Sequence, residues 1–86
     1  MILITGGMGF IGSHLARELL NRDYDAVLLD VMVNETLIRD IKDRVVTVRG
    51  DVTTPMQLVE AVKKHDVDAI FHCAALLSSA AEANPQ

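Results

Sequence analysis

The sequence predicts an α/β fold: a parallel four-stranded sheet in the order 3-2-1-4, with helices on both faces. Three observations carry this. Short apolar runs of Val, Ile and Leu alternate with longer amphipathic stretches, the pattern of strands joined by helical crossovers. Each crossover is long enough to bring the chain back for a parallel strand, and right-handed crossovers then set the strand order. Four of the five glycines crowd into Ile4-Thr5-Gly6-Gly7-Met8-Gly9-Phe10-Ile11-Gly12, between the first strand and the first helix. Glycine is costly to order, so such a cluster marks a turn with a backbone task.

Ile2-Leu3-Ile4 reads as a buried strand. Residues 11–22 follow as a helix, with Ile11, Leu15 and Leu19 on one face and Arg17, Glu18 and Arg22 on the other. Ala26-Val27-Leu28-Leu29 is a second buried strand ending at Asp30. A weak helix is expected next, capped by Asn34 and turning Leu37, Ile38 and Ile41 inward. Val45-Val46-Thr47-Val48 is the third strand. Thr54-Pro55-Met56-Gln57 reads as a helix start, with Thr54 as cap, Pro55 at the first helical position and Gln57 completing a capping box. Ala69-Ile70-Phe71-His72-Cys73 is the fourth strand. Residues 74–83 read as a small-residue loop, and Asn84-Pro85 as the start of a further helix. This is half of a Rossmann fold. The expectation is that residues 1–86 are the N-terminal part of a longer nucleotide-binding domain.

Composition narrows the function. The 86 residues carry a net charge of -4 with scattered basic residues, which argues against a nucleic-acid partner. No apolar run approaches a membrane span, and Met1-Ile2-Leu3-Ile4 lacks the charged leader of a signal peptide. The single cysteine, Cys73, leaves no disulfide framework and no cysteine-based metal cluster. A cytoplasmic protein without a metal is expected.

Strand, glycine turn and helix together suit a pyrophosphate, because a helix N-terminus presents unpaired N–H groups and a partial positive charge. Two triplets can be drawn: Gly7-x-Gly9-x-x-Gly12 and the longer Gly6-x-x-Gly9-x-x-Gly12. Asp30 stands 18 residues past Gly12, at the end of the second strand, where a carboxylate can accept hydrogen bonds from an adenosine ribose. Val31-Met32 brings no cation to meet a 2′-phosphate, so NAD is favoured over NADP. The plainer alternative is a tight turn and a solvated aspartate; the agreement of strand, turn, helix and acid speaks against it.

Four stretches, Thr5-Gly6-Gly7-Met8-Gly9-Phe10-Ile11-Gly12-Ser13-His14-Leu15, Leu29-Asp30, Gly50-Asp51-Val52 and Phe71-His72-Cys73-Ala74-Ala75, together resemble the extended short-chain dehydrogenase/reductase family. The likeness is to its NAD-dependent epimerase/dehydratase group. It implies the longer triplet, leaving Gly7 as a spare that keeps the turn loose. Gly6, Gly9, Phe10 and Ile11 would surround the pyrophosphate, and Gly12 would permit close helix–strand packing. Asp30 would hold the ribose. Asp51 would meet the adenine amino group, with Val52 beside the ring. Cys73, Ala74 and Ala75 would pass under the middle of the cofactor. The implied parent is an NAD-dependent nucleotide-sugar epimerase or dehydratase. The alternatives are a short-chain-type L-threonine 3-dehydrogenase, favoured by the run Ala74-Ala75-Leu76-Leu77-Ser78, and a non-catalytic NAD-binding redox sensor.

No catalytic residue is assigned. The family's chemistry uses a Tyr-x-x-x-Lys pair, and the one tyrosine, Tyr24, has Leu28 four residues on. His72 reads as a packed histidine, His14 and His65 lack metal-ligand spacing, and Cys73 lacks a charge partner to activate its thiol. Ser78 and Ser79 read as loop residues. The fourth strand is expected to be an open edge, and self-association through it is expected.

Overall fold

The computed structural model describes residues 1–73. The loop at 74–83, Ala74, Ala75 and the Asn84-Pro85 helix start lie outside the described residues. Four strands, β1 (Ile2–Thr5), β2 (Ala26–Asp30), β3 (Val46–Arg49) and β4 (Ala69–His72), form one parallel sheet in the order β3-β2-β1-β4. Among the described residues two α-helices, α1 (Phe10–Asn21) and α2 (Pro55–Lys64), occur in the connections between strands. The chain therefore passes from β1 outward to β3, then crosses to β4 on the far side of β1. The strand order reverses between β1 and β4.

The two-residue period of a strand sorts the central side chains onto two faces. Ile2, Ile4, Ala26 and Leu28 pack with Met8, Ala16, Leu19, Leu20, Ile38, Ile41 and Cys73. Leu3, Val27 and Leu29 pack on the other face with Ala61, Val48, Val52, Leu58 and Val67. Among the described residues the second face is thinly covered, since Ala61 is the one buried residue of α2. β1 is buried throughout, whereas every residue of β4 is exposed.

The helix expected after Asn34 is absent. The segment forms two 3₁₀ turns, Thr36–Ile38 and Lys42–Arg44. Asn34 does accept a bond, from the Thr36 amide at 3.0 Å, but it opens a single turn. Tertiary contacts overrode the weak helical pattern. Ile38 and Ile41 are plugged into the core, and Arg17 of α1 grips the segment from outside. Its Nε and Nη2 donate to the Asp40 carboxylate at 2.8 and 2.7 Å, and Nη2 also donates to the Leu37 carbonyl. The guanidinium holds the Asp40 carboxyl down at about 2, chiefly through these bonds.

Candidate functional site

The carboxyl ends of β1 and β2 and the start of α1 build one end of the site. Gly6 takes the left-handed conformation, with φ at 65°, which reverses the chain at little cost because it has no Cβ. Gly9 is extended and sits at the N-cap of α1 with no side-chain cap. The Ser13 amide is the first to find an acceptor in the helix, the Gly9 carbonyl at 2.9 Å. The amides of Phe10, Ile11 and Gly12 therefore have no partner within α1. No acidic side chain stands in that first turn, so its partial positive charge is not neutralised there. Phe10 and Ile11 are exposed, with Phe10 packed edge-on against His14.

Gly12 lies against the turn itself: a Cβ there would collide with the Gly6 carbonyl oxygen and would stand 2.7 Å from the Gly7 Cα. Gly7 is not a spare. A Cβ at Gly7 would come within 2.7 Å of the Leu28 Cβ and 2.9 Å of the Ile4 carbonyl oxygen. Its amide donates to the Leu29 carbonyl at 3.3 Å. Gly7 is the point where the turn is pressed onto β2, so the turn is tight rather than loose.

Asp30 fastens the two ends of the site together. Its Oδ2 accepts the Met8 amide of the glycine turn at 3.2 Å, and its Oδ1 accepts the Val31 amide at 2.9 Å. Its main-chain carbonyl accepts the Gly50 amide at 2.9 Å. Each carboxylate oxygen keeps a lone pair for a ligand hydroxyl.

Beyond β3, Val31, Arg49, Gly50, Asp51 and Gln57 line an open depression of about 310 Å³. Asp51 is held by Thr53, whose amide and hydroxyl donate to Oδ1 at 2.9 and 2.7 Å. The same bonds hold the Asp51 carboxyl below its usual range, Thr53 being the main cause. Asp51 Oδ2 accepts nothing among the described residues and is left to meet a donor. Val52 is half-buried against the α2-side core, so only part of it is available to a ligand.

The expected capping box forms differently. Pro55 does open α2, but Thr54 makes no side-chain cap. The Gln57 Oε1 accepts the Asp51 amide at 2.7 Å instead. Met8, Val31, Arg49 and Gln57 thus border the site although sequence reasoning did not select them. Val31 was signalled by its position after Asp30, and Arg49 by its place before Gly50. Met8 acts through its backbone, which its side-chain identity does not reveal.

At the switch point, Thr5 Oγ1 and His72 Nδ1 share a hydrogen bond of 2.7 Å across β1 and β4. Cys73 is buried behind them, and that burial pushes its thiol pKa up, which suits an inert packing residue. Tyr24 lies at the amino-terminal end of the sheet, away from the site, beside Met1, Ile2, Leu19, Asp68 and Phe71. Among the described residues no cluster of metal-ligating side chains occurs, and no helix is long and apolar enough to cross a membrane.

Known proteins resemble this chain in sequence and fold. The chain is 37% identical over 81 residues to the UDP-glucose 4-epimerase of Neisseria gonorrhoeae, covering 87% of this chain and 24% of that protein. It is 44% identical over 94 residues to the D-erythronate dehydrogenase of Cupriavidus necator, covering 96% of this chain and 28% of that protein. The crystal structure of UDP-glucose 4-epimerase from Brucella ovis in complex with NAD superposes with a TM-score of 0.71 at 33% identity, over 83% of this chain and 21% of that one. The chain thus spans about a quarter of the length of each of these two relatives. The family model of NAD-dependent epimerases and dehydratases matches residues 2–86, and the chain belongs to that family.

Proposed function

We propose that this chain forms the adenosine- and pyrophosphate-holding part of an NAD-dependent nucleotide-sugar epimerase or dehydratase. The observation that carries the reading is the fastening of Asp30 to the glycine turn through the Met8 amide. It sets a carboxylate beside a helix start whose amides lack partners, the pairing that a ribose next to a pyrophosphate needs. Gly6, Gly9, Phe10 and Ile11 surround the pyrophosphate, and Gly12 lets α1 approach. Asp30 accepts the ribose hydroxyls. Asp51 accepts the adenine amino group through Oδ2, with Val52 at the ring edge. Cys73 passes under the central part of the dinucleotide. NAD, when bound, accepts and returns a hydride; the residues here bind and orient it. A nucleotide sugar is the substrate of the whole protein. The lone thiol fits a reducing compartment, and we assign the protein to the cytoplasm.

The test is an NMR-detected titration of the chain with NAD. Amide shifts should concentrate at residues 6–12, Asp30 and 50–52, and Asp30→Ala should weaken binding about tenfold, the worth of its hydrogen bonds to the ribose. Shifts scattered elsewhere, or none at millimolar NAD, would overturn the reading.

A second reading, a dehydrogenase that ends its cycle with reduced cofactor, is favoured by the 44% identity to a D-erythronate dehydrogenase. Assay of the whole protein separates the two: an epimerase releases no net NADH, whereas a dehydrogenase does.

We also propose self-association through β4. Among the described residues β4 pairs only with β1, and its Ile70 and Phe71 are 47% and 43% exposed. Light scattering that finds a monomer at high concentration counts against it.

A further inference from the structure

The depression beside Asp51 contains a contact between the Gln57 side chain and the Asp51 backbone. We infer that Gln57 is a positioning residue for adenine recognition: its side-chain carbonyl holds the Asp51 amide, and so aims the Asp51 carboxylate at the base. The inference rests on the placement of adenine at Asp51 proposed above.

Hydrogen bonds with three residues fix Asp51. Its carbonyl accepts the Thr54 amide at 2.9 Å, its Oδ1 is taken by Thr53, and its amide donates to Gln57 Oε1 at 2.7 Å. The first two are local bonds made within the loop and move with it. The third ties the loop to the rigid first turn of α2, six residues away. The chemistry fixes which way the Gln57 amide is turned, since an N–H donor requires the carbonyl oxygen and not the NH2. Because Thr54 supplies no cap, Gln57 has exchanged the usual reciprocal cap for a grip on the loop. Gly50 precedes it. Its amide is bound to Asp30, and a Cβ there would stand 3.3 Å from Leu29 Cδ1 and 3.5 Å from Gln57 Oε1. The loop is otherwise exposed, with residues 53–57 at the surface. Without Gln57 it would have to be ordered by the ligand, at a cost to affinity.

The readout is discrimination between NAD and its hypoxanthine analogue, in which a carbonyl replaces the adenine amino group. A carboxylate aimed at that position accepts from the amino group and repels the carbonyl. The wild-type chain should prefer NAD by about tenfold, the scale of one charge-assisted hydrogen bond. Gln57→Leu, at an exposed helical position that tolerates leucine, should bring the preference within about twofold. Gln57→Glu keeps the acceptor and should restore it. In the ligand-free chain, exchange of the Asp51 amide should quicken in Gln57→Leu and stay slow in Gln57→Glu. A Gln57→Leu chain that keeps the wild-type preference, or that weakens both dinucleotides alike, overturns the inference. Asp51→Ala separates the two levels. If it too keeps the preference, adenine is not read by Asp51 and the underlying placement fails. If it abolishes the preference while Gln57→Leu does not, the role of Gln57 alone fails.

Discussion

The two ends of the site are built by different means. The glycine turn is a backbone structure. Gly7 is pressed on Leu28, Gly12 on Gly6, and Thr5, Gly6, Gly7 and Gly12 are buried. The loop at 50–57 is a side-chain structure, in which Asp51, Thr53 and Gln57 hold one another at the surface. Backbone packing cannot be relaxed locally, whereas surface hydrogen bonds can be broken singly. Damage to the turn should therefore appear as lost stability, and damage to the loop as lost recognition in a chain that stays folded.

The sharpest way to break this contrast is Gly12→Ala. Its Cβ has backbone on the far side and nowhere to go, so a loss of about 3 kcal/mol is expected in urea unfolding. Gly7→Ala should cost about 2 kcal/mol, since the Leu28 Cβ it meets can shift only with its strand. Unchanged stability in either variant would show that the turn is as adaptable as the loop. Asp30→Ala lies between the regions. It should lose binding and also about 1 kcal/mol of stability, because the part-buried Met8 amide loses its acceptor.

The smallest effect is expected outside the site, at Asp40. The folded-state carboxyl of Asp40 lies at about 2, below the usual 3.8. A depressed carboxyl stabilises the fold above its unfolded value, and that contribution is lost as pH falls from about 4 toward 2. Asp40→Asn should flatten this part of the acid limb in urea midpoints measured against pH, and the flattening should be slight because the pair is exposed. Asp51 has the same sign, so its hold on Thr53 also weakens in acid.

Much of this was legible in sequence. β1, β2 and α1 announced themselves because a strand buried on both faces must be apolar throughout, and because a glycine turn is hard to disguise. Asp30 stood out as an acid at a strand end, whereas Asp51 was reached only through the resemblance to the family. The segment at 31–45 misled because its weak helical period was outweighed by Arg17, a residue 20 positions from the Leu37 carbonyl it grips. Gly7 misled for a related reason: its partner, Leu28, belongs to the next strand. Gln57 carried a valid capping pattern, and local spacing does not tell a helix cap from a loop 2.7 Å away.

Asp30 is bonded to the turn by its carboxylate and to the Gly50 loop by its carbonyl. The separation of the two ends is therefore measured off within a single residue, as on a ruler, and does not accumulate through flexible chain. Twist of the sheet carries both ends together. A ligand with a lengthened or shortened link between its adenine and its pyrophosphate would find one end in register and the other displaced.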